Sequence, residues 1–157
     1  MFEAVYCNSQ INYWLDSDCY CHWVTGHNLV RFYSDGVVIA RFVELNERMQ
    51  SPGFSPDTLQ PDPLPADFRD AIVQRIDRND EQTYSLKGTY STDGNSLTMH
   101  LDRVHDNDLR VDRTDAKYWG SDSAVPLAPS PHVYNGKLVA DSIRCADGMV
   151  LTKVSSW

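Results

Sequence analysis

No stretch of this chain stays apolar for the ~20 residues that a membrane-spanning helix requires. The opening residues, Met1 to Cys7, lack the basic region and apolar core of a secretion signal. No Asn-x-Ser/Thr acceptor occurs either, so a cytoplasmic protein is expected. Clustered Lys and Arg are missing too: the basic residues are scattered and interrupted by aspartate, as in Asp102-Arg103 and between Asp108 and Asp115. With a formal net charge of −8, the chain is not expected to bind nucleic acid, and an anionic membrane surface would repel it. There is no Gly-x-Ser-x-Gly elbow, phosphate loop or Rossmann fingerprint, so neither nucleotide chemistry nor a cofactor is expected. Cysteine is sparse: Cys7, Cys19, Cys21 and Cys145 are too few for a disulfide scaffold in a chain of 157 residues and read as reduced, partly buried thiols.

What the chain does have is turn chemistry. Asp-Gly occurs at 35–36, 93–94 and 147–148, and Asn-Gly at 135–136. Both dipeptides tolerate the positive φ of tight hairpins. The faces into which each turn sorts its flanks then predict the register. A two-residue Asp93-Gly94 loop sets Tyr90 opposite Leu97, Gly88 opposite Met99, Leu86 opposite Leu101 and Tyr84 opposite Arg103. The other face carries Ser85, Lys87, Thr89, Thr98, His100 and Asp102, the alternation of a half-buried antiparallel pair. A three-residue loop at Ser34-Asp35-Gly36 puts Val30, Phe32, Val38, Ala40 and Phe42 on one face. Leu29, Arg31, Tyr33, Val37, Ile39 and Arg41 fall on the other, which predicts a pair covered on both sides. A similar loop at Ala146-Asp147-Gly148 groups Val139, Ile143, Cys145, Met149 and Leu151, and makes Asp141 and Lys153 cross-strand partners.

Between the first two hairpins, Ser51 to Pro65 holds five prolines and reads as an irregular loop. Phe68, Ile72 and Ile76 then recur every fourth residue, predicting a short helix around residues 65–78. A short strand is possible at Leu109–Val111, and the aromatic first 25 residues stay unassigned. Length and the single run of strands point to one domain over residues 1–157.

Three motifs carry a resemblance: Phe32-Tyr33-Ser34-Asp35-Gly36-Val37-Val38, Gly88-Thr89-Tyr90 with Asp93-Gly94-Asn95, and Val133-Tyr134-Asn135-Gly136-Lys137-Leu138. Together they make the chain similar to small bacterial lipocalin-like (calycin) β-barrels, over roughly residues 29–154, without the Gly-x-Trp of lipocalins proper. The resemblance implies an all-β, mainly antiparallel barrel holding a small, largely apolar molecule. Some such barrels are instead enzymes, cyclases or isomerases that fold a polyene- or polyketide-like chain.

The expected site is the barrel interior: Phe32, Tyr84, Leu86, Tyr90, Leu97, Met99 and Leu101. Arg31 and Arg41 are added because a buried charge would argue for a pocket rather than a filled core. Tyr hydroxyls could orient a ligand. Cys19-x-Cys21-His22 with His27 does not match zinc-finger spacing, and no metal is expected. His100 and His105 flank Asp102, Asp106 and Asp108, but His100 and Asp102 fall on the outward face and read as solvated. The expected partner is a small apolar molecule, bound by a monomer or homodimer. The competing readings are a template enzyme in the same pocket, and an interaction module using the 51–65 loop or the aromatic N-terminal segment.

Overall fold

A computed structural model describes residues 2–67, 84–105 and 132–154, with backbone pairing alone at 84, 85 and 103–105. Eight antiparallel strands follow one another: β1 (Ala4–Leu15), β2 (Cys21–Phe32), β3 (Val37–Gln50), β4 (Tyr84–Asp93), β5 (Ser96–His105), β6 (His132–Val139), β7 (Ser142–Cys145) and β8 (Val150–Lys153). Each pairs with the next, and β8 returns to β1, closing an up-and-down barrel consistent with a lipocalin-like fold. Closure leaves the barrel wall without an open edge. The seam is short, with Tyr6 opposite Lys153 and Cys7 opposite Thr152. The expected helix lies outside the described residues except for a turn at Ala66 and Asp67, and the possible strand at Leu109–Val111 lies outside them altogether.

The first and last hairpins have the expected registers. Phe32 pairs with Val38 around Ser34–Gly36, and Ile143 with Leu151 around Ala146–Gly148. Gly36 and Gly148 take the positive φ that these loops demand. Lys153 donates its backbone N–H to the Asp141 carbonyl at 2.8 Å. The middle hairpin turns one residue later than expected. Its loop is Gly94-Asn95, so Tyr90 meets Met99, Gly88 meets Leu101 and Leu86 meets Arg103. Because the slip shifts each partner by two residues, every side chain keeps its face.

The Asn135-Gly136 turn is a misreading. Both residues lie inside β6, where Gly136 faces Leu97 on one side and Cys145 on the other. A Cβ at 136 would sit 3.0 Å from Ile143 Cγ2 and 3.2 Å from the Arg144 carbonyl, so glycine serves close packing there. The chain turns instead at Ala140-Asp141, with Ala140 at φ 52°. Val139 therefore ends β6 and is exposed, not a member of the Ile143 face.

Pleat alternation separates two cores. Inside the barrel lie Ala4, Tyr6, Val30, Phe32, Val38, Tyr90, Leu97, Met99, Leu101, Ile143 and Leu151. Outside the wall, Val5, Leu29, Tyr33, Ile39 and Val43 form a second cluster, against which Leu64 packs. The β2–β3 pair is thus covered on both sides, as its mixed faces predict.

One end of the interior is filled by aromatic rings. Phe2, Phe32 and Tyr90 have centroids 5.0–5.4 Å apart. Tyr6 meets Phe32 edge-on at 5.8 Å. The Tyr90 hydroxyl accepts the Phe2 N–H at 3.0 Å and lies 2.8 Å from the Phe2 and Tyr33 carbonyl oxygens, to either of which it can donate. One buried phenol thus links the start of β1, the β2–β3 turn and β4. Replacing it (Tyr90→Phe) leaves these backbone groups without their partner. The expected loss is roughly 1–3 kcal/mol, read as a lower urea midpoint at unchanged m-value.

Candidate functional site

The turns β2–β3, β4–β5 and β6–β7 lie at the aromatic end of the barrel, and the β7–β8 turn lies at the other. Toward that second end the interior is hollow. A cavity of about 200 Å³ is walled by inward residues of seven strands, Val30, Ala40, Leu86, Met99, Leu101, Tyr134, Cys145 and Leu151 among them. Asn28, Phe42 and Met149 stand at its mouth. Phe42 is 40% exposed, and its ring occupies the space that a Cβ at Gly26 would need, so a side chain at 26 would push the ring away. Burial, and then the Asp147 carboxylate, push the Cys145 thiol above its ordinary range, so it stays a neutral wall.

The expected site residues divide. Leu86, Met99 and Leu101 line the cavity. Phe32, Tyr90 and Leu97 face inward in the same core but do not line it, and Phe32 and Tyr90 belong to the aromatic plug. Tyr90 was expected to offer its hydroxyl to a ligand; that hydroxyl is bonded to the backbone, and burial pushes its pKa up. Tyr84 opens β4, but its side chain lies outside the described residues.

Arg31 and Arg41 are corrected. Both are buried, at 3% and 5% exposure, but alternation from Phe32 and Ala40 turns them to the outer layer with Leu29 and Ile39. Arg31 stacks over the Tyr33 ring at 4.8 Å. Arg41 borders the cavity, yet its side chain belongs to the outer face. The signal that could have placed them is the outward parity of Tyr33 and Ile39, which the sequence already held. Asn28, Ala40, Tyr134, Cys145, Met149 and Leu151 were absent from the expected site. Pairing β6 to β5 across residues 106–131 brings Tyr134 to it, and the β6–β7 hairpin turning at Ala140-Asp141, not at Asn135-Gly136, brings Cys145.

The remaining candidates scatter. Cys19 sits in the exposed β1–β2 turn at φ 63°, whereas Cys21 is buried in β2. His22 bonds Asp16 at 2.8 Å and stacks on Trp14. That bond is the chief reason the Asp16 carboxyl lies below its usual range. His100 is exposed, as expected; the side chain of His105, together with Asp106 and Asp108, lies outside the described residues.

Beyond the seam, residues 8–15, 21–28 and 42–50 pair only with one another among the described residues. The aromatic N-terminal segment is the first strand of this projecting sheet, with Tyr13, Trp14 and Leu15 exposed. In β3, Asn46 and Glu47 together oppose Val24, a bulge that turns Arg48 onto the face of Trp23. Arg48 then lies over the Trp23 ring at 4.8 Å, donates a hydrogen bond to Asp62 Oδ1 at 3.2 Å and ion-pairs with Oδ2 at 3.1 Å. Asp62 also donates its N–H to Thr25 Oγ1 at 3.0 Å. The Pro-rich 51–65 segment is therefore a strap across the outer face, covering Thr25 and His27. Where the strap's Leu64 and Pro65 meet Cys7 and Val150, a groove of about 440 Å³ runs along the seam, but it opens broadly to solvent. The interior cavity is the more enclosed and more apolar of the two.

His27 is wholly buried and hydrogen-bonded through Nδ1 to Ser9 Oγ at 2.7 Å. Burial lowers its pKa against a smaller opposing pull from Asp62. The unfolded chain, with an ordinary value near ~6.5, binds the proton first as pH falls. Stability should therefore be full above that value and decline as pH drops through it toward the lower folded pKa. Melting temperatures from pH 7.5 to 5 should show this slope, and His27→Gln should flatten it.

No family model, curated protein or solved structure matches this chain.

Proposed function

We propose that the protein binds a small apolar molecule inside its barrel, at the end opposite the aromatic plug. The observation that carries this reading is the cavity of about 200 Å³ bounded by Val30, Leu86, Leu101 and Leu151. A close-packed interior has few voids larger than a water molecule. An apolar cavity of roughly 150 Å³ stays dry and takes up benzene. The hollow is therefore of a size and chemistry that favours an apolar occupant over water. The expected resemblance to calycin barrels supports the same reading through the eight-stranded up-and-down topology. A folded polyene template would need a pocket of roughly 300–1,000 Å³, so binding is the better-supported activity.

Toluene is a suitable probe. At a hundredfold excess over its dissociation constant it should stabilise the fold by about 2.7 kcal/mol, raising the melting temperature by roughly 5–10 °C. Ala40→Leu extends a larger side chain into the cavity from β3 and should abolish the shift while keeping the β circular dichroism spectrum. An unshifted wild-type protein, or an equal shift in Ala40→Leu, would contradict interior binding.

A further inference from the structure

The cavity wall is unusual in its sulfur content. The chain has four methionines and four cysteines, and Met99, Cys145 and Met149 all border this one small hollow. Thioether sulfur is polarisable and makes favourable contacts with aromatic ring edges, a gain that a saturated ring of equal volume does not receive. Tyr134 supplies an aromatic wall, suited to edge-to-face contact with a second ring. The remaining inward side chains are aliphatic except for the Phe42 ring and the neutral Asn28 amide at the mouth, and Arg41 borders the hollow from a position of outer-face parity.

Asn28 pairs across the sheet with Asn8 in β1 and Phe42 in β3. The Asn8 amide is engaged, donating to the Val150 carbonyl at 3.0 Å. The Asn28 amide makes no side-chain hydrogen bond to another described residue, and it borders the cavity. It has both a donor and an acceptor for a group arriving with the ligand.

We propose that this site takes one aromatic ring bearing a single hydrogen-bonding substituent, a molecule of phenol's size, with its ring among Met99, Cys145, Met149 and Tyr134 and its substituent on the Asn28 amide. The proposal rests on the interior-binding reading and narrows its ligand class. The volume sets the limit of one ring, and the apolar inward side chains disfavour a charged substituent.

The test is an NMR titration of the intact protein with phenol, cyclohexanol and benzene. Phenol should bind roughly tenfold more tightly than cyclohexanol, which has the same hydroxyl and nearly the same volume. Phenol should also bind more tightly than benzene despite its stronger hydration. In Asn28→Leu that second preference should reverse. In Met99→Leu/Met149→Leu the phenol-to-cyclohexanol ratio should fall to about twofold, with cyclohexanol affinity unchanged. Should the double variant fail to fold, the wild-type ratios and the Asn28→Leu reversal decide. Cyclohexanol binding as tightly as phenol would overturn the aromatic assignment while leaving interior binding intact. Failure of all three molecules to bind would overturn both.

Discussion

The Tyr90 hydroxyl reaches the Phe2 and Tyr33 backbone from β4, and around it the rings of Phe2, Phe32 and Tyr6 fill one end of the barrel. An eight-stranded barrel has little interior to spare. Once four aromatic rings occupy one end, any hollow must lie at the other, where the inward residues are Val30, Ala40, Leu86 and Leu101. Hydrogen bonding at the plug and emptiness at the mouth are two consequences of the same packing. This also removes Tyr90 from the ligand's reach.

The wall that separates the plug and cavity from solvent is itself buried on both faces along β2. That explains the strap. Leu29, Tyr33 and Ile39 form an apolar outer face that water would otherwise meet, and Leu64 packs onto it. The strap is held by Arg48, which the Asn46–Glu47 bulge turns toward Asp62. Arg48 and Asp62 are partly exposed, so the pair itself contributes little. Its effect is to keep Thr25 and His27 dry.

Much of the fold was legible because hairpins are local. Asp35-Gly36 and Asp147-Gly148 fixed their registers through a left-handed glycine, and alternation around Gly94 sorted the faces even though the turn falls one residue later. Asn135-Gly136 misled because glycine there answers a tertiary demand, the approach of Ile143 and the Arg144 carbonyl, which no local rule reports. β1 was illegible because its outer half projects past the barrel and carries little apolar alternation. The site was half legible for a similar reason. Leu86, Met99 and Leu101 belong to one hairpin, whereas Tyr134 reaches the cavity through the β5–β6 pairing across residues 106–131, and Cys145 through a β6–β7 turn that the Asn135-Gly136 signal misplaces. Arg31 and Arg41 were misplaced by weighing their charge over their parity.

The barrel interior is hollow at one end and packed at the other. Xenon enters dry apolar cavities without needing a specific hydrogen bond. A crystal of the protein pressurised with xenon should show one strong peak among Met99, Leu101 and Leu151, and none among Phe2, Phe32 and Tyr90. A barrel interior without xenon, or xenon among the aromatic rings, would contradict the account.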